Sequence, residues 1–289
     1  MASTVYFTPE ISPASLVAVY EKLGRPALGR VAVKVSTGEP GPRGGNWLQP
    51  ALIKDLVERV GATIVECNTA YEGHRFKSAD HLQVAADHGF TAIAPVDIMD
   101  AEGTMDLPTR PGGHLDRDIV GAHLKNYDFL IVLSHFKGHG MGGFGGALKN
   151  ASIGCASSAG KLYIHSAGLS TTEWAGEGST HDGFLESMAE AATAVTDFFG
   201  DRILFINVAN NISVDCDCDG NAAPATMADL GILASTDPVA LDKATADLVY
   251  AAPDSAEVVE RIESRNGLHT IARAEELGLG SQEYELVTL

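Results

Sequence analysis

The sequence predicts an α/β fold, with a mainly parallel sheet and helices on both faces. Residues 1–289 read as a single domain with no clear linker, an arrangement that two closely packed subdomains would also satisfy. Three observations lead there. Apolar segments of strand length alternate with amphipathic segments of helix length, the order that builds parallel strands joined by crossover helices. Aromatics are sparse at 7%, whereas Ala and Gly are plentiful, which suits helices lying close on a sheet. A chain of 289 residues with 45% hydrophobic content also has enough apolar surface for a full core.

Taken in order, "RVAVKVS" (30–36) reads as a strand. "QPALIKDLVERVG" (49–61) reads as a helix, with Pro50 in its first turn and Gly61 ending it. "ATIVECNT" (62–69) is the next strand, and "SADHLQVAADHG" (78–89) a helix opening on a Ser cap. "TAIAPVDIM" (91–99) and "DFLIVLS" (128–134) are further strands. "HDGFLESMAEAATAVTDFFG" (181–200) has helical spacing, followed by the strands "RILFINVANN" (202–211) and "LGILAS" (230–235). "DPVALDKATADLVYAA" (237–252) predicts a helix capped by Asp237 with Pro238 first. Two more helices, in 255–267 and 269–278, precede a terminal edge strand, "EYELVTL". The segments 37–50 and 102–118 are rich in Gly and Pro and read as long loops.

The chain carries 38 acids against 20 bases, a net charge of −18. Such a surface repels nucleic acid and anionic membranes, so neither is expected as a partner. No basic, then apolar, leader opens the sequence, and no apolar run approaches the roughly 20 residues that span a bilayer. Four cysteines do not make a disulfide scaffold. A cytoplasmic location is expected, where thiols act as core residues, nucleophiles or metal ligands. A homo-oligomer is compatible with everything in the sequence.

Against that acidic background, "SHFKGHGMGGFGGALKNASIGCASSAGK" (134–161) gathers three lysines, two histidines and eight glycines directly after a strand. Ligands of parallel sheets gather beyond the carboxyl ends of strands. In extended backbone His135, Lys137 and His139 share one side. The glycines then lead into a helix near Ala147, where Gly143, Gly145 and Gly146 offer backbone N–H groups and Lys149 and Lys161 full positive charge. The spacing is neither that of a P-loop nor that of a dinucleotide fingerprint. A site for a small anionic molecule is the reading, with His135, Lys137, His139 and Lys149 as catalytic candidates.

"SVDCDCDG" places Cys216 and Cys218 among three aspartates. Neighbouring carboxylates disfavour a lone thiolate nucleophile, whereas a cation stabilises thiolates. The pair, joined across the fold by Cys155 and His165, is therefore a candidate zinc or iron site. Cys67 reads as a core residue. Asp237 is read as a cap, and Asp229 and Asp242 as ordinary solvated or capping acids, with a partner to a site histidine as the alternative role for one of them.

The blocks "HFKGHGMGGFGGALKNASIGCASSAGKLYIHS" and "NNISVDCDCDGNAAPATMADLGILASTDPVALDKATADLV" resemble the domain of unknown function 362 family, over roughly Val31 to Tyr250. Many members of that family carry a ferredoxin-like insert with two iron–sulfur motifs after the segment matching "KLYIHS". This chain has no Cys-x2-Cys-x2-Cys run there and holds no such cluster in cis. The glycine block is also similar to the Gly-Gly-x-Lys block of lactate racemase proteins, which use a nickel cofactor. The resemblance bears on fold and site; the thiol pair with the Gly/Lys loop makes a metal-dependent enzyme or redox-system protein the leading reading, an oxidoreductase with a redox partner protein among the options. A non-catalytic metal- or cluster-binding accessory protein, and a metal-free enzyme for a phosphorylated or carboxylated substrate, are the alternatives.

Overall fold

The computed structural model describes residues 2–42, 46–175 and 178–289. The chain runs β1 (Ser3–Thr8), α1 (Pro13–Lys22), β2 (Val31–Lys34), α2 (Pro50–Val60), β3 (Thr63–Glu66), α3 (Ser78–Asp87) and β4 (Val96–Ile98). A hairpin of β5 (Thr104–Pro108) and β6 (Arg117–Gly121) follows, then β7 (Phe129–His135), β8 (Lys137–His139), β9 (Gly143–Gly145), α4 (Ala147–Ser152) and α5 (Ser158–His165). The second half contains α6 (His181–Phe199), β10 (Ile203–Ala209), β11 (Gly231–Ser235), α7 (Pro238–Ala251), α8 (Ala256–Ser264), α9 (His269–Glu276) and β12 (Tyr284–Thr288).

Eight strands form the main sheet in the order β12-β1-β11-β10-β7-β2-β3-β4. All neighbours are parallel except at β11, which runs against both β1 and β10. The sheet is therefore mainly parallel, as its alternating pattern predicts, with one reversed strand. Alternation along the strands builds the two layers. In β7, Leu130 and Val132 join a core made with α4, α6 and α7, whereas Ile131 and Leu133 join a core made with α1 and α2. A one-residue slip would exchange the two sets.

Several local expectations change. Segment 102–118, read as a loop, contains most of the β5–β6 hairpin. Strand 91–99 shrinks to β4, because Phe90–Ala92 form a short 3-10 turn. Ser78 does not cap α3; it lies inside the helix, and its hydroxyl accepts a hydrogen bond from Asn68 Nδ2 at 2.8 Å. The other punctuation holds: Gly61 ends α2 at φ 61°, and Asp237 caps α7 by accepting from Val239 and Ala240 N–H. No described helix is long and apolar enough to cross a membrane.

Candidate active site at the carboxyl ends of the strands

From β2 the chain steps outward through β3 and β4, then returns to place β7 on the other side of β2. The β2/β7 boundary is thus a switch point, where crossover connections part and leave a crevice at the strand ends. A cavity of about 350 Å³ opens there. It is walled by the ends of β2, β3 and β7, by the β8–β9 ribbon with α4 and α5, and by the 210–230 connection.

His135, Lys137, His139, Gly145, Gly146, Lys149, Lys161, His165, Cys216 and Cys218 all line this one cavity. Gly143 and Cys155 do not. Gly143 is left-handed, at φ 78°, and abuts Gly267 of the α8–α9 connection. Cys155 is fully buried in the core, where burial pushes its thiol pKa up to about 12. Cys67 beside it donates to the Cys155 carbonyl and is also core, as expected.

The glycines mostly serve close packing. A Cβ on Gly146 would stand 2.4 Å from Asp242 Oδ1, and one on Gly138 2.5 Å from the Val214 carbonyl. The expectation that α4 offers free N–H groups to an anion is overturned. Asp242, buried on α7, accepts from Ala147 N–H at 2.7 Å and Leu148 N–H at 2.9 Å. Burial pushes its pKa up to about 6, against the opposing pull of these N–H groups and Asn207. Asp242 therefore ties two helices together and hydrogen-bonds no histidine. Asp229 likewise accepts from Asn211 N–H.

Most ionised side chains of the cavity are already partnered. Lys137 pairs with buried Asp217 and donates to the Asn46 carbonyl. His135 is engaged at both nitrogens, Nδ1 with Asp217 and Nε2 with the Asn210 carbonyl at 2.7 Å. Neither residue is free to act on a ligand as arranged; together they anchor the 210–230 connection over the strand ends. Lys34, at the end of β2, faces Glu66 at 3.7 Å and donates to Asn150 and the Val35 carbonyl. Arg75 bonds Glu39 at 2.9 Å and Tyr71, whose hydroxyl donates to the Cys218 carbonyl.

Lys149 differs: among the described residues its ammonium has no hydrogen-bond or ion-pair partner. Burial first, then the like charge of Lys34 and Lys161, bring its pKa down to about 8. His165 is the second open group. Its Nδ1–H donates to the Lys161 carbonyl at 2.6 Å, so the lone pair sits on Nε2. The ring lies between Phe184, stacked at 4.5 Å, and the edge-on Trp174 at 4.9 Å. Burial brings its pKa down to about 4, so the ring is neutral.

His139, Cys216 and Cys218 place one donor atom each within 4.8 Å of one another. His139 replaces Cys155 and His165 in the ligand set the sequence suggests. The two sulfurs are joined as a disulfide, a form that cannot supply thiolates. Once reduced, they and His139 amount to three donors, one short of a closed zinc site. The hydrogen bonding of His139 fits a metal only in part. Its Nδ1 accepts from the Met141 and Gly142 N–H groups, so the neutral ring carries its proton on Nε2. Metal-bound imidazoles usually donate from the other nitrogen, as His165 does.

A family model described as a domain of unknown function, DUF362, matches residues 31–247. The chain belongs to this family. The matched span contains every cavity-lining residue of this DUF362 member. No curated protein matches it. Among solved structures it is similar to the lactate racemase apoprotein from Thermoanaerobacterium thermosaccharolyticum, at 14% identity and TM-score 0.49, covering 84% of this chain and 56% of that one. It is also similar to a protein from Thermotoga maritima, at 14% identity and TM-score 0.44, covering 73% of this chain and 53% of that one. The chain thus spans about half the length of these structures.

Sequence reasoning about this DUF362 domain missed Lys34, Glu66, Tyr71 and Arg75. For two of them a signal existed: Lys34 and Glu66 are charges set inside apolar strands, in "VAVKVS" and "TIVECN". A fully buried charge needs a partner, and each is the other's.

Proposed function

We propose that the protein is an enzyme that takes a small anionic molecule into the switch-point cavity, holds its charge on Lys149 and exchanges a proton with it through His165. The observation that carries this reading is the enclosed ammonium of Lys149, which lacks a partner among the described residues while Lys34, Arg75 and Lys137 around it are matched to carboxylates. An enclosed charge is costly until something offsets it, and an anion does so. His165 lines the same space, and no group among the described residues bonds its Nε2 lone pair. A bound anion would also offset the lysines that help depress its basicity. Calorimetric titration with inorganic phosphate and with succinate tests the reading. Binding by the wild type that weakens at least tenfold in Lys149→Met supports it; absence of binding by the wild type refutes it.

A second reading, favoured by the His139–Cys216–Cys218 cluster, adds zinc or iron held by the reduced thiol pair beside the bound anion. The open fourth position suits catalysis better than a closed structural site. Elemental analysis of protein purified with reductant and no added metal should find close to one metal per chain, lost in Cys216→Ser/Cys218→Ser. A metal-free wild type leaves the pair as a dithiol–disulfide couple, a place for thiol exchange with a redox partner protein.

A further inference from the structure

The charges of the cavity do not balance once its internal pairs are removed. Lys34 faces Glu66, Arg75 faces Glu39, and Lys137 faces Asp217. Asp215 is held by Arg261 at 3.1 Å, and Asp219 stands exposed on the rim, where it accepts from Asn221 N–H. Among the described residues two enclosed cations remain. Lys149 has no partner among the described residues. Lys161 has only a neutral one, the Ala156 carbonyl one turn earlier, at 2.5 Å. That single acceptor occupies one of its three N–H bonds. The nearby buried carboxyl of Asp118 does not offset Lys161. Burial pushes its pKa up to about 8, against the opposing pull of the Ile119 N–H and of Lys161, so it stays largely protonated at neutral pH.

We infer that the ligand of this cavity is a dianion that spans Lys149 on α4 and Lys161 on α5, a small dicarboxylate or a phosphomonoester. The inference rests on the reading of the cavity as an anion site and narrows it to a charge class. Two ammonium groups from different helices, brought to one enclosed space, oppose each other until both are offset. A monoanion offsets one and leaves the other. A volume of about 350 Å³ suits a small metabolite with both charges inside the protein. The open edge is formed by Met141, 42% exposed, Trp174, 40% exposed, and the Asp219 carboxylate, so a third negative charge at the mouth would find no cation there among the described residues.

Near-isosteric pairs test this. Succinate is compared with monomethyl succinate, and methyl phosphate with dimethyl phosphate, by calorimetric titration of the full chain at neutral pH. In at least one pair the dianion should bind tenfold or more tighter, and the pair that discriminates identifies the dicarboxylate or the phosphomonoester. Lys161→Gln should collapse that preference to under threefold; Lys149→Met should weaken both members. Equal affinity of the wild type for both members of each pair overturns the dianion inference and leaves the anion reading standing. No binding of any probe overturns the anion reading itself. The wild-type comparison needs no variant, so a Lys161→Gln protein that failed to fold would not shield the inference.

Discussion

At Lys149, burial and the ammonium groups of Lys34 and Lys161 act in the same direction, and together they bring its pKa down to about 8. Such a lysine is charged at neutral pH but loses its proton within reach of ordinary buffers. An anion held by Lys149 stabilises the charged form, so binding and protonation are linked. The affinity for succinate is expected to be flat between about pH 6.5 and 7.5 and to fall as pH rises through 8, approaching tenfold per pH unit. In Lys149→Met that slope should disappear along with most of the affinity. A wild-type affinity unchanged between about pH 7 and 9.5 would show that the charge of Lys149 is not what the anion meets. His165 illustrates the same scale. One backbone carbonyl selects its tautomer, and burial first, then the charges of Lys149 and Lys161, keep it neutral.

At the scale of elements, two helix starts depend on single carboxylates. Asp237 caps α7, accepting from Val239 N–H at 2.9 Å and Ala240 N–H at 3.1 Å, and also receives bonds from Ser3 and Ser281 near the chain ends. Asp237→Ala should cost about 1–2 kcal/mol in chemical denaturation, the usual worth of a cap. Asp242 does the equivalent for α4 from a different helix, and Gly146 leaves room for it. Gly146→Ala should displace that carboxylate, orphan two buried N–H groups and destabilise the fold by about 1–3 kcal/mol. A denaturation midpoint within error of wild type would show that the loop yields instead. The first cap was legible in "STDPVALD", because a cap is a local event between adjacent residues. The second was not, because Ala147 and Asp242 lie far apart in sequence and meet only in the folded chain.

Over the whole molecule, buried neutral histidines set the acid limit of stability. His81 and His165 have pKa values brought down to about 4, chiefly by burial, from the ordinary 6.5. Between these values the unfolded chain binds protons at both sites and the native state does not, so stability rises with pH across that window. It should fall as pH drops from about 6.5 toward 4, by about 1–3 kcal/mol per histidine. Denaturant midpoints measured across the range should decline, and the decline should shrink in His81→Asn. A flat profile would mean that both rings protonate in the folded state.

Strands and helices with strong periodicity, the mainly parallel sheet, the caps at Gly61 and Asp237, and the gathering of candidate site residues at the end of β7 were all legible in the sequence. Each of these follows from neighbours in the chain. Which side chains remain available depends on the folded chain. His135 and Lys137 look as free as Lys149 in the string "SHFKGHGMGGFGGALK", yet Asp217 and the Asn210 carbonyl engage the first two and no described group engages the third. Cys155 looked as suitable a ligand as Cys216, yet it is sealed in the core, whereas His139 meets the Cys216–Cys218 pair. The direction of β11 was hidden as well, since "GILAS" presents the same apolar face to its neighbours whichever way it runs. Partner identity is a long-range property: burial makes it costly for a charge to go without one, but the sheet order and the path of the 210–230 connection choose which group supplies it.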